Sequence, residues 1–187
     1  MVTRAHDGSD FIHRQRILPQ YKVMAQSKRN LKFTIILHIL IGFLMALKLT
    51  STVLDLLNIF WQPIEELYIP MAKPWEWVWF SSIVTAFLAF RPIRTNNALQ
   101  LKIFLSFIVI TCIFPLIYCV YLYVADFRTY VITRDVQKVS EVWRGYPVAL
   151  YWCVFTIVAT QVHAFELYFG WELLKTMSSH RQVNKSK

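Results

Sequence analysis

Long apolar runs alternate with short charged stretches along the whole chain. Four of these runs read as membrane-crossing helices, at about 33–53, 75–90, 99–124 and 146–169. The first, Phe33–Val53, holds Ile35, Ile36, Leu37, Ile39, Leu40, Ile41, Phe43, Leu44 and Leu47. About 20 residues rising ~1.5 Å each cover a hydrocarbon core of ~30 Å. The second run is short and opens Trp75-Glu-Trp-Val-Trp79, an aromatic anchor of the kind that sits at headgroup level. Its length suits a thin bilayer such as that of the endoplasmic reticulum, ~27 Å. The third run, Leu99–Val124, is the longest and holds Pro115, which predicts a kink or a broken hydrogen-bond ladder. Thr111, four residues earlier, is placed to rebond near the freed carbonyl. The pattern predicts an all-α polytopic membrane protein with four transmembrane helices.

The stretches between the runs set the domain organisation. Residues 1–32 form a basic N-terminal tail with seven Lys/Arg and two Asp. Ser9 is placed to cap a helix over 10–18, and Pro19 to end it and start another. In that second segment Gln20, Met24, Ser27 and Leu31 share one face. This reads as a basic helix lying on a membrane surface, with a solvated, partly disordered tail as the alternative. Residues 54–74 read as a loop punctuated by Pro63, Pro70 and Pro74. Arg91-Pro-Ile-Arg94 with Asn96-Asn97 reads as a tight turn in which Pro92 stops the helix. Residues 125–145 read as a mixed-charge loop with a short surface helix. The four-helix domain thus spans 33–170, followed by a basic tail at 171–187.

Composition supports a lipid solvent. Of 187 residues, 56% are hydrophobic and only 17% charged, against about one quarter charged in a typical soluble domain. The formal net charge is +9. The Lys and Arg flank apolar runs rather than cover a wet folded face, so anionic headgroups fit as partners and nucleic acid does not. No signal peptide is expected, because residues 1–32 lack an apolar core, and no lipidation motif is present.

Orientation follows from the basic residues. The N-terminal tail, the 91–98 turn and the C-terminal tail hold seven, two and four Lys/Arg, and the other two loops hold one and four. The richer side is expected to be cytosolic. An even number of spans puts both termini there. Trp61, Trp75, Trp77, Trp79, Tyr121, Tyr123, Tyr146, Tyr151 and Trp152 fall at the opposite, lumenal interface. Asn184-Lys-Ser186 matches the glycosylation acceptor pattern, and a cytosolic tail is expected to leave it unmodified.

Ionisable residues inside the runs are the candidate chemistry, since such groups face protein or water rather than lipid. His38 lies five residues into the first run. His163 and Glu166 lie near the matching end of the fourth, on one helix face at i and i+3. At ~1.5 Å per residue their depths agree within about 5 Å. A polar contact between spans one and four is therefore expected from His38, Gln161, His163 and Glu166. Interhelical hydrogen bonding is the expected role, with a metal site or proton relay as the sharper alternative. Lys48 lies about 22 Å into span one. It is expected to snorkel to the lumenal interface or to pair with Glu76 at the start of span two. Cys112, Cys119 and Cys153 sit in apolar runs without metal-thiolate spacing and read as packing residues. No phosphate loop, nucleophile elbow or paired-cysteine motif is present. No cofactor, catalytic residue or metal ligand is therefore expected.

Five ordered pieces stand out: Asp7-Gly-Ser-Asp-Phe-Ile-His-Arg14, His38 with Ala46-Leu-Lys48, Arg91-Pro with Asn96-Asn97, Pro115-Leu-Ile-Tyr118, and Gln161-Val-His-Ala164 with Leu167-Tyr168. Together they resemble the Jagunal family. The resemblance covers about residues 7–177. It implies a non-catalytic four-span protein of the endoplasmic reticulum membrane with cytosolic termini. It also implies organisation of the reticulum, vesicle-mediated transport in the early secretory pathway, and roles in germ cells, early divisions and granulocytes. Coatomer binding through a dilysine-type C-terminal signal goes with the family. Here the tail departs from that pattern: Lys185 is third from the end, Asn184 and Val183 precede it, and Lys187 is last. A small channel or transporter working through His38, Lys48 or His163 is the alternative from another class. An intramembrane lipid enzyme with His163 and Glu166 as acid and base is a third.

Overall fold

The structure, a computed structural model, describes the backbone of residues 8–185 and, within it, the side chains of Leu18 and residues 21–178. The chain folds into α1 (Gly8–Leu56), α2 (Gln62–Glu65), α3 (Pro74–Thr95), α4 (Ala98–Ile108), α5 (Phe114–Thr133) and α6 (Val148–Lys185). A π-helical turn, Val109–Ile113, joins α4 to α5 in one continuous rod. A 3-10 turn, Val136–Lys138, and a two-residue antiparallel pair, β1 (Val142–Trp143) with β2 (Tyr146–Pro147), fill the last loop.

Three helical segments are long and apolar enough to cross a membrane: Tyr21–Leu56, Ala98–Thr133 and Val148–Ser178. The fourth long helix, α3, packs among them against α1, α4 and α5. Large apolar side chains are found on both faces of the bundle wall. Ile35, Met45 and Leu49 of α1 are buried, whereas Phe33, Ile36, Leu40, Phe43, Leu44 and Leu47 of the same helix are exposed. The other long helices repeat this, with Phe87 and Leu88, Phe107 and Ile110, and Val154 and Phe165 exposed. An outer apolar surface of this extent, on helices long enough to cross a membrane, suits a lipid solvent.

The chain runs up and down so that both terminal segments meet at one end. Ser27 Oγ donates to Glu172 Oε2 at 2.8 Å, linking the N-terminal half of α1 to the C-terminal half of α6. At the other end Trp143 Nε1 donates to the Leu67 carbonyl at 2.9 Å, and Lys73 Nζ pairs with Glu141 Oε1 at 2.8 Å. Burial pulls the Lys73 pKa down, but its hydrogen bonds to Glu141 and Tyr123 outweigh that and hold the ammonium above its usual range.

Helix ends differ from the sequence expectation in three places. Pro19 does not end a helix, because α1 runs through it from Gly8. The proline has no N–H to give to the ladder, so it costs one backbone bond there. Ser27 and Leu31 are buried, with Ser27 bonded to α6, so this face meets another helix rather than a membrane surface. Pro92 is likewise internal to α3, which ends at Asn96 in the left-handed region, φ 54°. Asn97 then caps α4, its side chain accepting from the N–H groups of Leu99 and Gln100. Finally, α5 extends to Thr133, so the short helix expected in 125–145 is replaced by the end of α5, a 3-10 turn and the β pair.

Close approach of α1 and α3 depends on Gly42. A Cβ placed there would lie 2.3 Å from Ile83 Cδ1 and 2.6 Å from its Cγ1. Glycine-lined crossings of this kind let membrane helices pack backbone to side chain. Gly42→Val is expected to lower stability by about 1–3 kcal/mol through overpacking, read as a shift in thermal unfolding in detergent.

Candidate functional site

All four long helical rods contribute to one buried polar cluster. His38 comes from α1, Ser82 and Trp79 from α3, Cys112 from the π turn, and His163 with Glu166 from α6. Each is fully or almost fully buried. Glu166 bridges the two imidazoles. Its Oε1 lies 3.2 Å from His38 Nδ1 and its Oε2 lies 2.9 Å from His163 Nδ1. The rings meet edge to face with centroids 4.6 Å apart, and Trp79 covers both, at 5.7 and 5.8 Å.

Proton counting defines this network. The Ser82 hydroxyl donates to the Trp79 carbonyl at 2.6 Å, so its oxygen accepts from His38 Nε2 at 2.9 Å. His38 Nδ1 faces a carboxylate oxygen at the same time. Two hydrogen bonds of this kind need a proton on each, so the His38–Glu166 pair holds one proton more than a neutral imidazole beside a carboxylate. The pair is then net neutral, which suits a site closed off from water. His163 spends Nδ1 on Glu166. Its Nε2 is buried with no hydrogen-bond partner among the described residues.

Cys112 completes the cluster. Its Sγ and one ring nitrogen each from His38 and His163 all lie within 4.8 Å of one another. These are metal-ligating atoms, so the three side chains could hold an ion, with Glu166 behind them. The π turn places Cys112 here. Its closing bond runs from the Phe114 N–H to the Val109 carbonyl, one residue longer than an α-helical bond. Pro115 comes next, in the first turn of α5, where its missing N–H is tolerated. Thr111 Oγ1 donates to the Phe107 carbonyl at 2.8 Å.

The other sequence candidates divide. Gln161 is exposed on α6 and stays out of the cluster, because two residues turn a helix by ~200° and put it opposite His163. Lys48 meets Glu76 Oε2 and lies over the Trp152 ring, 5.6 Å from its centroid. Glu76 also accepts from the Lys73 N–H at 3.1 Å, capping the start of α3 from its third residue. This pair borders a largely apolar cavity of about 680 Å³ lined by Leu44, Tyr123, Trp152 and Phe155 among others. Lys187 and the side chain of Lys185 lie outside the described residues, as do the side chains of the 7–14 motif. Sequence reasoning missed Cys112 as a site residue. The available signal was Pro115, whose disturbance of the ladder turns the preceding residues.

Residues 2–181 match a family model described as Jagunal, endoplasmic reticulum re-organisation during oogenesis. The chain belongs to the Jagunal family. It is 37% identical over 183 residues to "Protein jagunal" of Drosophila pseudoobscura pseudoobscura, covering 96% of this chain and 93% of that protein. It is 32% identical to "Protein jagunal homolog" of Caenorhabditis briggsae over 165 residues, 87% of each chain. Identity falls to 26% with "Protein jagunal homolog 1" of Homo sapiens, over 97% of this chain and 93% of that one. Every residue of the cluster falls within the Jagunal match, as do the three segments long and apolar enough to cross a membrane.

Proposed function

We propose that this chain is a non-catalytic protein of the endoplasmic reticulum membrane that organises the reticulum and supports vesicle-mediated transport in the early secretory pathway. The observation that carries it is the family match over residues 2–181, described as endoplasmic reticulum re-organisation. Four crossings with cytosolic termini form part of the same proposal. The 22 residues of α3 rise roughly 33 Å at ~1.5 Å each, enough for a thin bilayer. Arg29, Lys32, Arg91 and Arg94 are exposed at the terminal end of the bundle, where anionic cytosolic headgroups would meet them. Coatomer is the proposed reader of the tail holding Lys185 and Lys187.

Depletion from dividing cells, with the reticulum imaged and a secretory reporter timed, tests the function. A misplaced reticulum and delayed secretion are expected, rescued by the full chain. A version ending at Ser178 keeps the buried Leu173, Leu174 and Met177 and loses both tail lysines, so it is expected to rescue less well. A normal reticulum after depletion sinks the proposal. Saturable solute flux in liposomes holding the purified protein would favour the channel instead. A glycan removed by Asn184→Gln would overturn the orientation.

A further inference from the structure

We propose that His38, Cys112 and His163 form a binding site for one divalent, borderline-soft metal ion of the zinc class, with Glu166 as the positioning carboxylate. Two imidazoles and a thiolate are a zinc-type donor set, and three protein ligands leave a fourth position open. The donors converge from α1, the π turn and α6, with their ligand atoms within 4.8 Å of one another. A tetrahedral ion with bonds of about 2.0 to 2.3 Å holds its donors closer than this, so loading draws the three side chains inward.

Three further features point to an ion rather than to packing. First, Glu166 contacts Nδ1 of both histidines. Carboxylates behind metal-bound histidines orient the rings in this way and leave Nε2 for the ion. Second, His163 Nε2 is that free atom, on a side chain with 0% exposure, and it has no hydrogen-bond partner among the described residues. Third, Cys112 sits in a π turn, a local distortion that recurs at functional sites. Charge selects the valence. A thiolate at Cys112 and a carboxylate at Glu166 bring two negative charges, which a divalent ion neutralises inside a site excluded from water. Loading releases the His38 Nε2 proton and the Cys112 thiol proton to solvent; His38 exchanges its bond to Ser82 for the ion, and Ser82 keeps its own bond to the Trp79 carbonyl. The loaded site ties three of the four helical rods together at one point, and α3 is held against it through Trp79.

Cobalt(II) is the probe. Full-length protein is purified in detergent, stripped with a chelator and titrated. One equivalent is expected to give a near-ultraviolet thiolate-to-cobalt charge-transfer band with tetrahedral visible bands, all displaced by zinc(II). The Cys119→Ser/Cys153→Ser variant retains Cys112 alone and is expected to keep the band. Cys112→Ser is expected to lose it while eluting as a monodisperse species. Absence of the band in the wild-type chain or in the double variant overturns the site, whether or not Cys112→Ser folds. A band that survives Cys112→Ser overturns it as well.

Discussion

Replacing Glu166 with leucine is expected to destabilise the protein by roughly 3–5 kcal/mol, the cost of removing one partner from a buried charged pair. The carboxylate serves two imidazoles at once, through Oε1 to His38 and Oε2 to His163. Leucine matches its volume approximately, so the loss is not mainly a cavity. It leaves both Nδ1 atoms without their acceptor in a place where the residues of the site are fully buried. His38 also has a donor bond to Ser82, and its second proton then has no counter-charge. A second substitution separates this account from simple loss of packing. With His38→Leu added, the charge that needed Glu166 is gone, so the double variant is expected to be less destabilised than the sum of the two single changes. Equilibrium unfolding in detergent measures all three. Additive effects would mean that His38 and Glu166 do not act as a pair.

The presence of long helices and their apolar character are legible because run length and lipid-like composition are properties of the local sequence. Helix ends are not, because they depend on what lies opposite. Pro19 and Pro92 are local stop signals, yet α1 and α3 run through them. For α1 the contact that favours continuation is with α6, where Ser27 finds Glu172 across 145 positions of sequence. No window around Pro19 contains that information. The mixed-charge segment 125–145 departs from expectation for a related reason. Its length suits a surface helix, but Asp126 binds Ser140 through both the backbone N–H and the hydroxyl, folding the segment back on α5.

The polar cluster was legible to the extent that depth can be counted. His38, His163 and Glu166 fall at matching heights because each rise along a helix is fixed. Depth carries no angle, however, and angle decides who faces inward. Gln161 has the right height and the wrong side. Cys112 has the right side only because the π turn adds one residue to the rod and rotates α4 by ~100° relative to α5. Spacing rules for metal ligands also look within one segment, whereas these donors come from three. A proline in a span is therefore a reason to test both registers of the residues ahead of it.

Lys48→Met is expected to cost roughly 3 kcal/mol, because it strands Glu76 as a buried carboxylate. Glu76 is 1% exposed and Lys48 19%, and the two are in direct contact. The carboxylate has a second role, accepting from the Lys73 N–H at the start of α3, so it is not free to turn toward water when Lys48 is removed. Glutamine keeps that capping bond and sheds the charge. The Lys48→Met/Glu76→Gln double variant is therefore expected to be more stable than Lys48→Met alone, with a coupling of about 0.5–3 kcal/mol. Lys73→Met supplies the comparison. Its ion pair with Glu141 is 31% and 38% exposed, and surface pairs are worth about 0–1 kcal/mol. The order of loss is then Lys48→Met, the double variant and Lys73→Met, from largest to smallest, in thermal or denaturant unfolding in detergent. If the double variant loses as much as the sum of its parts, Lys48 is held by its stem and by Trp152 instead, and Glu76 is a helix cap with no need of a counter-ion.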